Sequence, residues 1–117
     1  MTTKEQIFQA CQPVSVPFTL AAWGGELRAA GLDGESYEKA EKEATRYAAG
    51  SNVRRMAWWC VRCVQTPDGQ PLFADADVDR VARMAPGILV AAYQHVQEAN
   101  GMDDELRAYR GNSGTAP

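Results

Sequence analysis

Between Ser51 and Thr66 the chain places Val53, Met56, Ala57, Cys60, Val61 and Val64 at spacings of three and four. That period makes one broad side of a helix apolar, and so demands cover from the rest of the chain. Ser51 stands where a capping side chain belongs, which predicts a helix from about Asn52 to Gln65. The same helix carries a misfit. At about 100° per residue, Trp58 falls in the middle of the polar side, beside Arg54, Arg55, Arg62 and Gln65, while Trp59 lies at the edge of the apolar side. Two readings account for it. The helix is central and covered on both sides, or Arg54, Arg55, Trp58 and Arg62 form a protein-binding surface, because tryptophan and arginine dominate interface energetics.

Other elements follow from punctuation. Thr3 precedes a short helical signal in which Ile7, Phe8 and Cys11 share one side, and Pro13 ends it. In Phe18–Ala30 the Gly24-Gly25 pair reads as a two-residue hairpin turn, while the alanine-rich flanks favour a competing helix. Ser36 is in place to cap a helix to about Ala49, with Tyr37, Ala40, Ala44, Tyr47 and Ala48 on one face and Gly50 as its stop. Thr66-Pro67-Asp68-Gly69 is a turn, after which Leu72 and Phe73 are expected in the core. Asp75 is read as the cap of a short helix over about Ala76–Met84. Pro86 opens a last helix to about Asn100, burying Ile88, Ala91, Ala92, His95, Val96 and Ala99, with Gly101 as its end. The fold class is mainly α: four to five helices in one domain over residues 1–102, a minor N-terminal β-hairpin, and a disordered, flexible C-terminal tail at 103–117.

Composition bounds the function. At 117 residues, 45% hydrophobic and 23% charged, the chain can bury one core. A net charge of -3 argues against general nucleic-acid binding, which needs excess Lys and Arg to neutralise phosphates. No membrane span, signal peptide or lipidation signal is legible, so a cytoplasmic protein is expected. Three cysteines make a poor disulfide framework. Cys60 and Cys63 form a C-x-x-C, yet they lie on the apolar side of a helix and lack a second close-spaced ligand pair, so reduced, metal-free packing is expected. His95 has no nucleophile motif to accompany it. Asp75, Asp77 and Asp79 lack the glycine and glutamate of a calcium loop. Neither an enzyme, a metal site nor a cofactor is expected. The alternatives are a small regulatory protein touching nucleic acid through Arg54, Arg55 and Arg62, and a metal enzyme using Cys60 and Cys63.

The middle of the chain carries a resemblance. Trp23-Gly24-Gly25-Glu26-Leu27 leads to Leu32-Asp33-Gly34, and the Val53–Val64 helix runs into Asp68-Gly69-Gln70-Pro71-Leu72-Phe73. Asp75-Ala76-Asp77-Val78 follows, and a last helix ends in Glu98-Ala99-Asn100-Gly101. Over residues 14–102 this order resembles the tail assembly chaperones of long-tailed bacteriophages, with an apparent insertion at Phe18–Ala22. The resemblance implies a protein that binds the tape measure protein, keeps it soluble and helps recruit tail tube subunits. It implies contact with the tail tube protein through a frameshift-extended form, a place in the host cytoplasm, and absence from the mature virion. A second copy of the chain is a further candidate partner. The resemblance carries over no catalytic residue.

Overall fold

Seven residues, α1 (Lys4–Ala10), begin the computed structural model, which describes residues 2–102; the tail expected at 103–117 lies outside the described residues. Thr3 and Gln6 cap α1 reciprocally: the Gln6 amide donates to the Thr3 hydroxyl at 3.2 Å, and the Thr3 amide to the Gln6 side chain at 2.9 Å. No residue of α1 is buried.

The hairpin is present. Strand β1 (Ser15–Leu20) runs antiparallel to β2 (Gly25–Ala30), with Phe18 opposite Leu27. Its turn differs from the expected one. Leu20 faces Gly25, and Ala21–Trp23 between them curl into a 3₁₀ turn closed by Gly24 N–H on the Ala21 carbonyl. The alanine-rich flank took helical geometry, and Gly24 and Gly25, at φ 89° and 138°, supply the positive φ of the reversal. Trp23 thereby leaves the ladder and meets Phe73 edge-on at 5.4 Å. On β1, the Gly31 N–H bonds the Val14 carbonyl, and strict alternation from that pair aims the backbone of Val16, Phe18 and Leu20 at β2. Ser15, Pro17 and Thr19 therefore face the open edge, where Pro17 has no N–H to offer. Arg28 reaches across to bond the Ser15 carbonyl at 2.7 Å.

Helix α2 (Gly34–Ala48) starts three residues earlier than expected, because Asp33 rather than Ser36 is its cap. The Asp33 carboxylate accepts the Ser36 N–H at 2.8 Å and its hydroxyl at 2.9 Å, and these bonds hold its pKa below the ordinary carboxylate value. What this cap contributes is present above the ordinary aspartate pKa and is lost as pH falls through the lowered one. The helix stops at Ala49, left-handed at φ 48°, before Gly50.

Helix α3 (Asn52–Cys63) ends two residues before the expected Gln65. Val64–Gln65 instead form β3, which pairs with Ala29 and Arg28 of β2. The turn after Thr66 folds the chain back, and the Leu72 N–H bonds the Val64 carbonyl. Continuing the helix would have forfeited both sets of bonds. Leu72 lands 39% exposed, outside the core expected for it, while Phe73 is half-buried and packs against the core's edge. The next segment is a 3₁₀ turn at Asp75–Asp77 leading into α4 (Val78–Ala82). Asp77, not Asp75, supplies the side-chain bond, accepting the Ala74 N–H at 2.9 Å.

Helix α5 (Pro86–Ala99) buries Leu89, Ala92, Tyr93, Val96 and Ala99. This face is turned by about one residue from the expected one: Ile88, Ala91 and His95 are only half-buried. His95 stacks on Phe18 at 4.5 Å. The described residues thus hold five helices and a three-stranded antiparallel sheet, order β1-β2-β3. The core lies around α3, where Trp59, Cys60 and Cys63 meet Ala40 and Ala44 of α2, Leu89 and Val96 of α5, and Phe18 of the sheet. From α2, the Tyr37 ring packs against that of Trp59 at 4.9 Å.

The last junction ties the two ends of the fold. Asn100 accepts the Leu32 N–H at 2.8 Å and donates to the Ala30 and Val96 carbonyls at 3.3 and 2.8 Å.

Candidate protein-binding surface on the third helix

The four residues singled out on α3 do not act as one patch. Arg55 turns inward along α2 and α5. Its Nε and Nη2 each stand 2.7 Å from the Glu41 carboxylate, and its Nη1 donates to the Tyr93 hydroxyl at 2.9 Å. The fork geometry of guanidinium on carboxylate makes this a bidentate pair, and the Glu41 bonds raise the Arg55 pKa further still. Arg55 is thereby a clamp among α2, α3 and α5.

Arg54, Trp58 and Arg62 stay at the surface. The Arg54 guanidinium lies over the Tyr47 ring at 5.8 Å from its centroid. Trp58 is half-buried and meets Trp59 edge-on at 5.6 Å. Its indole and Arg62 line an open cleft of about 370 Å³, whose other walls are Glu43 and Tyr47 of α2, Val61 of α3, and Asp75 and Val78 across the gap. Trp58 is thus neither fully covered nor fully free: part of its ring packs against the core, and part lines the cleft. Val53, placed on the apolar face by its spacing, is 39% exposed.

Chemically the cleft is an apolar floor with charges of both signs at its rim. Arg62, Glu43 and Asp75 make no ion pair among the described residues. Sequence reasoning missed Glu43, Asp75 and Val78. Tyr47 and Val61 were read as core residues by their spacing. The legible signal was Glu43 one turn before Tyr47 on α2, which puts a carboxylate and a phenol at one end of that helix.

Trp58→Ala is expected to lower the unfolding free energy by about 1–3 kcal/mol, below the loss for a fully buried ring, because only part of the indole leaves water on folding. Urea titration measures it.

The C-x-x-C thiols are inside the core. Cys60 and Cys63 are free and buried, whereas Cys11 is exposed. Burial pushes the Cys60 thiol up to about 12 and the Cys63 thiol up to about 11, against the milder opposite pull of Arg62 and Asn100 on the latter. No cluster of three or more His, Cys, Asp or Glu suited to a metal occurs among the described residues. Alkylation at mildly alkaline pH is expected to label Cys11 alone in the native protein and all three cysteines in denaturant, read by intact mass. Rapid native labelling of Cys60 or Cys63 would contradict the buried assignment.

No helix among the described residues is long and apolar enough to cross a membrane. No protein-family model matches the sequence, and no curated protein matches it. Among solved structures, the bacteriophage HK97 tail assembly chaperone is similar in fold. The TM-score is 0.54 at 11% identity, over 83% of this chain and 98% of that one.

Proposed function

We propose that this chain is a phage tail assembly chaperone that binds the tape measure protein. The observation that carries the reading is the fold likeness to the HK97 chaperone, which extends over nearly all of that protein. It agrees with the order of motifs along residues 14–102. The α3 cleft supports a binding role: an aromatic floor with Arg62, Glu43 and Asp75 at the rim suits a helix that presents an apolar anchor between opposite charges. A rim of mixed sign suits a protein better than a phosphate backbone, which would call for an uninterrupted basic run. In this reading the chain keeps a long helical partner soluble in the host cytoplasm. It helps bring tail tube subunits to that partner through a frameshift-extended form, catalyses no reaction, and leaves before the virion is complete.

Co-expression tests it. A tape measure protein expressed together with this chain should stay soluble with it and co-purify with it. Trp58→Ala combined with Arg62→Glu should weaken that co-purification while the variant itself stays folded. A tape measure protein that precipitates equally with and without this chain would end the proposal.

A further inference from the structure

The cleft beside Trp58 continues into a second recess. Ser36, Lys39 and Ala40 of α2 line about 280 Å³ that shares Glu43 and Arg62 with the cleft, so the two make one groove along the crease between α2 and α3. The helices run antiparallel there: Arg62 stands at the Ser36 end, and Arg54 lies over Tyr47 at the other. Charge changes sign along the groove. Lys39 and Arg62 border the Ser36 end, while Glu43 and Asp75 share the Tyr47 end with the Trp58 ring. None of these four charges makes an ion pair among the described residues.

The last described residues stand at the basic end of this groove. Asn100, closing α5, accepts the Leu32 N–H just before α2 begins, and its side chain lies beside the Cys63 thiol, next in sequence to Arg62. Asp103-Asp104-Glu105 follow, and then Leu106-Arg107-Ala108-Tyr109-Arg110. Leu106 and Tyr109 fall on one side at helical spacing, with Arg107 and Arg110 beside them. The order complements the groove. Three carboxylates come first, nearest Lys39 and Arg62, and then two apolar side chains and two arginines, for Trp58 with Glu43 and Asp75.

Length agrees as well. From Ser36 to Tyr47, α2 rises roughly 17 Å. The eight residues 103–110 reach about 12 Å as a helix and about 26 Å extended. The segment is joined to the domain beside the groove, so its local concentration there is high, which offsets the entropy of ordering it.

From this we infer that residues 103–110 fold back along the α2–α3 crease of their own chain. Leu106 and Tyr109 cover the Trp58 indole, the acidic run meets Lys39 and Arg62, and the two arginines meet Glu43 and Asp75. A client helix entering the same cleft displaces this segment; that consequence rests on the proposed function, whereas the fold-back does not.

NMR on the full chain at low concentration tests it. Residues 103–110 should show order parameters of about 0.85, those of rigid backbone, and the Leu106 methyls should give nuclear Overhauser contacts to the Trp58 ring. Leu106→Asp, outside the core, should drop the segment below about 0.6 and shift the Trp58 indole N–H signal, leaving the sheet and α5 unchanged. Arg62→Glu should loosen the segment too, and adding Asp103→Arg and Asp104→Arg to it should restore the contacts. A wild-type segment below about 0.6, a rigid one whose contacts lie elsewhere, or a Leu106→Asp spectrum with an unmoved Trp58 signal would each overturn the inference. So would contacts that arise only between labelled and unlabelled copies, which would place the segment on a second chain. The tape measure protein is absent from this experiment, so failure of co-purification and failure of the fold-back are read separately.

Discussion

Trp59→Ala is expected to destabilise the domain by about 3–5 kcal/mol, a large share of the roughly 5–15 kcal/mol a domain has to lose. Trp59 is 1% exposed, the largest side chain fully enclosed in the core. It meets Tyr37 of α2 at 4.9 Å and Trp58 at 5.6 Å. Its removal opens a cavity between two helices, and the backbones around it are tied by the Arg55–Glu41–Tyr93 clamp and resist collapse. Trp59→Phe separates volume from polarity. The indole Nε1 is buried with no hydrogen-bond partner among the described residues, so phenylalanine removes an unsatisfied donor as well as some volume. Its loss should be well below that of alanine. The pair of urea midpoints decides it: equal losses for the two variants would mean that the indole nitrogen has a partner after all.

The second large effect is expected at a residue with no side chain. A Cβ on Gly31 would stand 2.7 Å from the Ala99 carbonyl and 2.7 Å from that of Val14. Both neighbours are backbone, and both are held. Val14 accepts the Gly31 N–H at 2.7 Å, and the end of α5 is fixed by Asn100. Nothing can yield without parting the hairpin base from α5. Gly31→Ala should therefore cost about 3 kcal/mol, at the upper end of overpacking substitutions, and Gly31→Val more. The φ of Gly31 is not in the left-handed region, so the cause is space, not backbone conformation. Thermal melts of Gly31→Ala and Gly34→Ala compare a crowded glycine with an open one, since a Cβ on Gly34 meets nothing within 4 Å. Similar melting temperatures for the two would refute the crowding.

Those two glycines also mark the limit of what the chain alone discloses. Helices with a long, regular apolar period were legible, α3 above all, because burial and periodicity act over many residues and average out local error. What failed was decided between segments. The end of α3 at Cys63 depends on the free edge of β2, far earlier in the chain, and no local signal in Val64-Gln65 announces it. The face of α5 slipped by one residue because Tyr93 could be counted as polar, although its hydroxyl has Arg55 and Gln97 as partners and its ring is buried. Of the candidate surface, Trp58 was legible as a misfit on a polar face. That Arg55 would turn away to Glu41 was not, since three arginines at helical spacing look alike until a carboxylate on another helix selects one. The Asn-Gly at the end of α5 stood out as part of a motif, but its purpose, holding the Leu32 N–H and the Ala30 carbonyl, required the hairpin to be in place.

The open side of β1 has a consequence for how this chain can meet others at all. A sheet of three strands with a bare margin invites any extended polypeptide to continue it, whatever its side chains, because backbone is common to all proteins. Here the invitation is withdrawn twice: the Pro17 ring occupies the middle of that margin, and the Arg28 guanidinium holds the Ser15 carbonyl. A newcomer would find both backbone groups free only at Thr19. Association indifferent to sequence is thus closed off, and what remains is recognition by shape and charge, which depends on the particular residues of the partner.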